Sequence, residues 1–440
     1  GASIGSNFAK FFGSDEKIKI AVTGAGAAAA IAAIFNAPIT GIIFTMEVII
    51  GEWAAVYMLP VVIASVTATE LSRAFHGNQI PFSHSGFDIL HNDIFLSIGL
   101  AIFTAFVSVF FIRSLRKSSE YLNKFFPNHF IKALFAGLLI GIIIYFFPEV
   151  RGEGYKLVQS LITEQFEGGI IFLLLIIFLK IAATALTLNG GGAGGVFAPS
   201  LLLGSTTGIL YYQIIQLFTD DISMSGPGLY ALMGMAGVIS GTLAAPLSGV
   251  FLIVEITSGY EAILPLMLIS FLSSTVARLM EKHSIYHHEL VKQGHLHRPR
   301  TDGRILADIH IEELLEKDMI SVKPEMLLKE MIPIIKKSKR NYFPVIDSET
   351  EEFRGILYFN DLKNFIFSIE LANSIFVEEI MDQELTTVSP SDTLMDIQGK
   401  FEQTRLWSLP VVKNGRFLGL ISKATMLDLY RKELKVQTDK

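Results

Sequence analysis

One apolar stretch of this chain carries five glycines, and a helical pattern follows them at once. They are Gly190, Gly191, Gly192, Gly194 and Gly195, in "NGGGAGGVFAPSLLLG". Each glycine costs a helix about 1 kcal/mol relative to alanine, so the run predicts a break in the helix. Beyond it, Pro199 falls in a first turn, where a helix tolerates proline. Free N–H groups and a partial positive charge at that helix start would form an anion site in a space lined by Gly194 and Gly195.

No Asp, Glu, Lys or Arg lies in the stretch from Ile181 to Thr219 that surrounds this break. A small anion could therefore bind to N–H groups without being trapped by a full opposite charge. A cation site would need carboxylates or carbonyl groups that converge on the break, and this window supplies no carboxylate.

Two carboxylates lie in a segment that the chain repeats. "NAPITGIIFTMEVI" and "AAPLSGVFLIVEIT" align without a gap, and Glu47 and Glu255 are 208 residues apart. An ionisable group inside a membrane segment is a functional candidate by default, so either glutamate could carry protons. Each also stands at the end of its apolar block, where a carboxylate can instead anchor a helix end through backbone N–H groups. The anchoring interpretation is favoured for both.

Composition places these segments in a membrane. The 440 residues are 51% hydrophobic and 18% charged, with a mean hydropathy of +0.48, whereas soluble domains are about 25% charged. Several uncharged stretches reach the roughly 20 residues that a helix needs to cross a bilayer. The net charge of −6 comes without a basic tract, so no nucleic acid partner is expected, and the lack of cysteine excludes disulfides and thiolate metal sites.

Glycine and proline interrupt the uncharged stretches in both copies of the repeat. Broken backbone in hydrocarbon is tolerated only where protein or a watery cavity surrounds it. The pattern therefore predicts a transporter-like fold of two related halves whose helix ends meet near the midplane. Gly1 and Gly5 precede the first copy as Gly204 and Gly208 precede the second, and close helix packing is the alternative use of these pairs. The basic stretch "RSLRKSSEYLNKFFPNHFIK" is predicted to be a cytoplasmic loop.

From about residue 301 the chain becomes charged, and a second repeat appears. "YFPVID" matches "SLPVVK" at a spacing of 66 residues, and "GILYFNDL" matches "GLISKATM" at a spacing of 64. Each copy is predicted to form a small α/β unit of short strands and helices. We therefore predict a membrane domain at 1–290, a linker at 291–314, and two repeat units at 315–372 and 373–440.

Four motifs resemble the CLC family of chloride channels and proton/chloride exchangers. They are "GGVFAPSL", "GMAGVISGTLAAPLSGVFLIVEIT", "FNAPITGIIFTMEV" and, after the last apolar run, "HSIYHHELV". The resemblance implies an α-helical membrane domain, built as an inverted repeat of broken helices, and a homodimer with one anion path in each subunit. It also implies that the amides of Val196 and Phe197 hold a central chloride, to which the Tyr286 hydroxyl donates from the cytoplasmic side.

Two segments of that family do not occur in these 440 residues. A Gly-Arg-Glu-Gly-Pro segment supplies the family's gating glutamate, and a Gly-Ser-Gly segment supplies a serine ligand. The expectation is that both precede Gly1 and that the chain begins inside a larger gene product. The glutamate that members of the exchanger branch often carry on the inner proton path is replaced by Val48, which favours passive or weakly coupled anion flow.

The tail repeats resemble a CBS-domain pair, which follows the membrane domain in many CLC proteins. Such pairs can bind an adenine nucleotide, with an Asp at the start of the last helix accepting from the ribose hydroxyls. Asp361 has that position in the first unit and Thr425 has it in the second, so at most one site of this kind is expected. The alternative is a structural dimerisation module in which Asp361 is an ordinary helix cap.

The expected function is transport of chloride or a similar small anion across a lipid bilayer, regulated by the CBS pair. The expected location is a bacterial inner membrane with the CBS pair in the cytoplasm, and no catalysis, required cofactor or metal is expected. A cluster of histidines allows a metal site as the lesser interpretation: His283, His287, His288, His295 and His297. The alternatives are a proton-coupled chloride antiporter and, more distantly, a CBS-regulated divalent-cation transporter, while a soluble CBS enzyme cannot explain the apolar region.

Overall fold

The computed structural model divides the chain into two compact units, which we call the membrane unit (residues 1–293) and the tail unit (residues 294–440). The described residues are 1–13, 16–78, 81–82, 84, 86–218, 223–281, 285, 311–366 and 368–438. The predicted fold class is confirmed. Helices form the described part of the membrane unit, and antiparallel strand pairs with helices form that of the tail unit.

Twelve helices, α1 to α12, make up the described membrane unit. In chain order they are Ala2–Phe11, Glu16–Phe35, Pro38–Phe44, Ala55–His76, His91–Phe125, His129–Phe146, Tyr155–Ile162, Ile170–Asn189, Phe197–Phe218, Pro227–Leu243, Pro246–Thr257 and Ile263–Met280. By length and composition, seven helical segments in the described ranges can cross a membrane. They include α4, α5, α6, α8 and α9, while α3, α10 and α11 are shorter apolar helices.

The two copies of the repeated segment have the same backbone conformation where the helix breaks. After α2 and α10 the chain turns through a left-handed φ, 52° at Asn36 and 57° at Ala244. The next residues, Ala37 and Ala245, have φ/ψ values of −129°/79° and −131°/79°. A proline then begins α3 and α11, where its missing N–H leaves no donor unpaired. The sequence repeat is therefore a structural repeat down to single dihedral angles.

A glutamate at the end of each copy caps the helix of the other copy. Glu255 accepts hydrogen bonds from the N–H groups of Ile39 (2.9 Å) and Thr40 (2.7 Å) and from the Thr40 hydroxyl (2.6 Å), at the start of α3. Glu47 accepts the three equivalent bonds at the start of α11, at 3.2, 2.8 and 2.6 Å. A carboxylate also complements the partial positive charge of a helix start. The anchoring role favoured by the sequence is confirmed for both glutamates.

This exchange of caps fixes the relative direction of the two halves. Glu255 lies near the C-terminal end of α11 and reaches the N-terminal end of α3. Glu47 lies in the π-helical turn Thr45–Ile50 after α3 and reaches the N-terminal end of α11. The two short helices therefore lie side by side in opposite directions, which is the arrangement of an inverted repeat.

Paired glycines bring the first two helices of each half into close contact. A Cβ added at Gly5 would lie 2.3 Å from the carbonyl oxygen of Val22, and one at Gly208 would lie 1.8 Å from that of Tyr230. These contacts join α1 to α2 and α9 to α10, the equivalent pair in each half. Close packing is therefore the use of the Gly-Xaa3-Gly pairs, because no side chain fits between the backbones.

The C-terminal end of α5 differs from the sequence prediction. The basic stretch after Ile112 is predicted to be a loop, and that prediction is wrong, because α5 continues through it to Phe125. At 1.5 Å per residue its 35 residues span about 52 Å, longer than the roughly 30 Å hydrocarbon core. Glu281, which follows α12, accepts from Arg113 at 3.2 Å and from Arg116 at 2.9 Å and holds the extension in place.

The tail unit contains two copies of the predicted α/β unit. Its described elements are α13 (Ile311–Leu314), α14 (Leu328–Lys337), β1 (Tyr342–Ile346), β2 (Phe353–Tyr358), α15 (Phe359–Ile366), α16 (Ile369–Ala372), α17 (Leu394–Thr404), β3 (Ser408–Lys413), β4 (Arg416–Ser422) and α18 (Lys423–Thr438). β1 pairs with β2 and β3 with β4, both antiparallel. The rings of Phe353 and Phe417, 64 residues apart in sequence, stack at 5.3 Å between the two hairpins.

The segment before the first copy belongs to the second copy's core. Ile311 and Leu314 fall inside the predicted linker, yet their side chains are buried with Val388 and Leu409 of the second copy. Glu316 extends this pairing, since its backbone forms an antiparallel bridge with Leu420 of β4. The segment that precedes the first copy is therefore part of the second copy's core, so the two copies are not joined by surface contact alone.

Removal of either cap should destabilise the membrane unit. Glu255→Ala leaves the N–H groups of Ile39 and Thr40 without their acceptor, and hydrogen bonds to charged groups contribute about 1.5–3 kcal/mol each. We expect the free energy of unfolding to fall by roughly 2–4 kcal/mol, seen as a lower unfolding temperature in detergent, with a smaller fall for Glu255→Gln. Glu70→Ala, whose side chain is 65% exposed and pairs with Arg73, is the control. Equal unfolding temperatures for Glu255→Ala and Glu70→Ala would show that the caps do not hold the halves together.

Candidate functional site

The glycine run forms a tight reversal between α8 and α9. The N–H of Gly190 donates to the carbonyl of Leu186 at 2.8 Å, and that of Gly192 donates to Thr187 at 2.9 Å. Gly191 between them has a φ of 98°, which an L residue with a side chain rarely adopts. The chain thus ends one membrane helix and begins the next within the predicted break.

α9 begins at Phe197, as the sequence predicts, with Pro199 in its first turn. The carbonyl of Val196 accepts from the backbone N–H and the hydroxyl of Ser200, at 3.1 and 2.7 Å. From Pro199 to Leu210 every side chain of α9 is buried. Because the first N–H groups of a helix have no acceptor within the helix, this buried helix directs unpaired donors toward the break.

Two contacts fix the position of the break. The Asn189 side chain donates to the carbonyl of Leu115 on α5 at 2.9 Å. The ring of Phe197 packs on Phe35 at 5.1 Å between centroids and on Phe44 at 5.8 Å. Phe35 ends α2 and Phe44 ends α3, so the start of α9 in the second half is clamped by helix ends of the first half.

The predicted anion-binding residues fall at this point of the chain. Gly194 and Gly195 are exposed, Val196 is 6% exposed, and Phe197 is half-buried. A Cβ added at Gly195 would meet no atom within 4 Å, so the structure leaves open space directly before the helix start. Tyr286, the predicted hydroxyl ligand, lies outside the described residues, as do the five histidines of the tail-side cluster.

Val48, at the position of the family's proton-path glutamate, is 5% exposed and packs in the membrane core with Phe44 and Ala37. It lies beside Glu47 in the π-helical turn, but its side chain is apolar and cannot take up a proton. Among the described residues, no group of three or more His, Cys, Asp or Glu side chains is placed to hold a metal ion.

Sequence reasoning missed Lys180, a buried cation on α8 almost three helical turns before the break. Lys180 is 3% exposed in α8, and its ammonium donates to the carbonyls of Val150 and Gly152 at 3.0 and 2.6 Å. A buried ammonium needs such partners, and these two fix the turn between α6 and α7. The signal was visible, because Lys180 is the single charged residue between Glu167 and Asp220.

The two predicted nucleotide-binding residues of the tail unit, Asp361 and Thr425, differ in their surroundings. Asp361 lies exposed in the first turn of α15. Near it the Tyr358 hydroxyl is buried and has no hydrogen-bond partner in the described part of the chain. Burial, together with the charges of Asp382 and Asp361, raises the pKa of Tyr358 to about 12, so its hydroxyl remains a donor at neutral pH. Thr425, at the matching position of α18, instead donates its hydroxyl to Glu316.

Named relatives of this chain are anion transport proteins. The H(+)/Cl(−) exchange transporter ClcA of Vibrio cholerae is 29% identical over 281 residues, which cover 62% of this chain and 59% of that protein. The chloride channel protein CLC-f of Arabidopsis thaliana is 26% identical over 495 residues, which cover 98% of this chain and 63% of that protein. The chain thus spans about three fifths of the length of these relatives.

Two solved structures share the fold. A slow cyanobacterial Cl−/H+ antiporter superposes with a TM-score of 0.57 at 23% identity, over 66% of this chain and 69% of that one. A eukaryotic CLC transporter superposes with a TM-score of 0.55 at 20% identity, over 93% of this chain and 71% of that one.

Family models match both units of the chain. The model described as voltage gated chloride channel matches residues 1–278, more than half of the sequence, and the CBS domain model matches residues 311–368 and 377–432. The first match covers the exchanged caps, the broken helices and the start of α9. The chain therefore belongs to the voltage-gated chloride channel (CLC) family and carries two CBS domains after its membrane unit.

Proposed function

We propose that the protein carries chloride or a similar small anion across a lipid bilayer, past the start of α9. The observation that supports this most directly is the buried helix that begins at Phe197, behind a glycine reversal with open space at Gly195. Helix N-termini bind anions through N–H donors and a partial positive charge. The proposed ligands are the amides of Val196 and Phe197 in the space at Gly194 and Gly195, with the Tyr286 hydroxyl on the cytoplasmic side.

The divalent-cation alternative is not favoured by the carboxylates of the broken helices. Divalent cations of the magnesium and calcium type prefer carboxylate oxygens. Glu47 and Glu255 each accept three hydrogen bonds from protein donors, so they are engaged as helix caps. A cation would have to displace those donors, and two of the three on each glutamate are backbone N–H groups with no other acceptor in the helix.

The basic C-terminal end of α5 indicates which side of the membrane unit faces the cytoplasm. Arg113 and Arg116 lie at the same end of the bundle as Glu281, which follows α12. Basic residues near membrane helix ends favour the cytoplasmic side, so the tail unit that follows α12 is proposed to be cytoplasmic too. A bacterial inner membrane and a homodimer with one path per subunit complete the proposal; both rest on the family resemblance.

Gly195→Ala tests the anion path. The added methyl group enters open space, and Gly195 does not have a positive φ, so the unfolding temperature should stay within about 2 °C of wild type. The same methyl group would narrow the space before Val196, and chloride efflux from proteoliposomes should fall several-fold. Gly137→Ala on α6, another position with no atom within 4 Å of an added Cβ, should leave the flux unchanged. Wild-type flux in Gly195→Ala would move the path away from the start of α9.

Coupling to protons is the second part of the proposal. Here the comparisons favour proton-coupled chloride exchange over passive or weakly coupled anion flow. The Vibrio cholerae relative is named an H(+)/Cl(−) exchange transporter, and one structural neighbour is a Cl−/H+ antiporter. The passive reading rested on Val48, which is packed in the core and offers no proton acceptor. A water chain could carry protons past an apolar residue, so Val48 does not exclude exchange. We therefore propose anion transport with proton exchange as the better supported mode.

A proton-uptake assay distinguishes the two modes. The protein is reconstituted into liposomes, and a chloride gradient is imposed with a pH indicator outside. We expect protons to move against their own gradient. The ratio of chloride to protons should stay constant as the membrane potential is varied, because exchange moves both ions in one cycle. Chloride flux without proton movement would instead show passive anion flow and contradict the exchange proposal.

The tail pair is proposed to regulate transport by binding an adenine nucleotide at Asp361. Asp361 is exposed at the start of α15, where its carboxylate can accept from ribose hydroxyls. The buried Tyr358 hydroxyl beside it lacks an acceptor among the described residues, and a ligand would supply one. A purely structural pair would leave that donor unexplained.

A further inference from the structure

The second CBS ligand position holds a carboxylate of the chain itself. Glu316 accepts hydrogen bonds from the hydroxyls of Ser422, at 2.6 Å, and Thr425. Its other carboxylate oxygen lies 2.8 Å from the guanidinium of Arg340. The Glu316 side chain is 10% exposed, so this carboxylate is largely withdrawn from water and is held by one cation and two hydroxyls.

The first ligand position has the same framework without the occupant. Asp361 and Thr425 are equivalent by the 64-residue repeat, as are Tyr358 and Ser422. The equivalent of Glu316 is Asp382, since Asp382 bridges Ile356 as Glu316 bridges Leu420. Asp382 is exposed, however, and its carboxylate caps the N–H of Glu384 in its own loop, at 3.2 Å.

Two sequence differences distinguish the carboxylates of the two copies. The repeat places Leu406 where the first copy has Arg340, so the carboxylate of Asp382 has no equivalent cation to draw it inward. The shorter Asp side chain also reaches less far than Glu. In the first copy the buried Tyr358 hydroxyl is consequently left without a partner, while Ser422 and Thr425 in the second copy are satisfied.

We infer that Glu316 closes the second ligand position by occupying it, so that the CBS pair binds one adenine nucleotide per chain and not two. The expected number of one nucleotide in the wild type rests on the proposed site at Asp361. The closure of the second position does not, because it depends only on the contacts of Glu316 with Arg340, Ser422 and Thr425. Glu316 stands two residues after α13, in the segment that leads from the membrane unit into the tail unit. The Thr425 hydroxyl thus donates to the chain's own Glu316 carboxylate and not to a ligand. A nucleotide can bind there only when the Glu316 side chain moves out of the position.

Nucleotide counting on the full chain in detergent tests this, with ATP as the probe. Equilibrium binding should give one ATP per chain for the wild type and none for Asp361→Ala. Glu316→Ala should give two, because it opens the position beside Ser422, Thr425 and Arg340, where the Thr425 hydroxyl takes the place of the Asp361 carboxylate toward the ribose. The double variant Asp361→Ala with Glu316→Ala should give one. Glu316→Gln keeps the volume and an acceptor, so it should stay at one.

Controls separate the closed position from the proposed function and from misfolding. Glu312→Ala changes an exposed glutamate of the same segment and should match the wild type. Unfolding temperatures identify variants that fail to fold, and Glu316→Ser then serves as the milder truncation. Two ATP in the wild type, or no gain in a folded Glu316→Ala or Glu316→Ser chain, would overturn the inference. Failure of the wild type to bind, with binding gained in the double variant, would instead remove the site at Asp361 and leave the inference standing.

Discussion

The membrane unit depends on one constraint, which is that a helix broken inside hydrocarbon must find partners for its terminal N–H groups. Water is absent there, and each unsatisfied group costs several kcal/mol. Glu47 and Glu255 meet this constraint by exchange, each capping a helix of the other half. The two halves are therefore locked together at the point where both are broken, and neither short helix can be placed correctly without the other half.

The same constraint explains why the start of α9 differs from the starts of α3 and α11. All three helices begin after a break. At the starts of α3 and α11, a carboxylate accepts three hydrogen bonds and neutralises the partial positive charge of the helix end. Gly168 to Thr219, which includes the α9 start, contains no Asp or Glu, and the one cation there, Lys180, is turned to the carbonyls of Val150 and Gly152. The fold thus uses helix starts in two ways. The starts of α3 and α11 are closed by fixed charges that hold the structure, whereas the start of α9 has open space in front of it, which is where we propose that the anion passes.

The sequence predicted the features that are written in residue type and spacing. The 208-residue repeat, the glycine break and the start of α9 at Phe197 all follow from local chemistry, because glycine and proline act on their own backbone. The partners of Glu47 and Glu255 were predicted only as a class, since the sequence does not show which helix start lies across the molecule. The clamp of Phe35, Phe44 and Phe197 could not be predicted, because aromatic residues are common in apolar helices and their neighbours are set by tertiary packing. The length of α5 does not follow from charge, because a basic stretch at a membrane boundary suits a cytoplasmic loop and Arg, Lys and Glu are also good helix formers.

The tail unit shows how a repeat can specify two different sites. Its halves share strand register, helix starts and the stacked pair Phe353 and Phe417, so the fold is close to symmetric. Symmetry of the backbone does not require symmetry of charge. Arg340 in one copy and Leu406 in the other decide whether a nearby carboxylate is stabilised inside the cleft or remains in solvent. A buried carboxylate without a cation would be costly, which agrees with the burial of Glu316 beside Arg340 and the exposure of Asp382. Glu316 belongs to the segment that precedes the first copy, and both its backbone bridge to Leu420 and its side-chain bonds to Ser422 and Thr425 hold that segment to the second CBS domain.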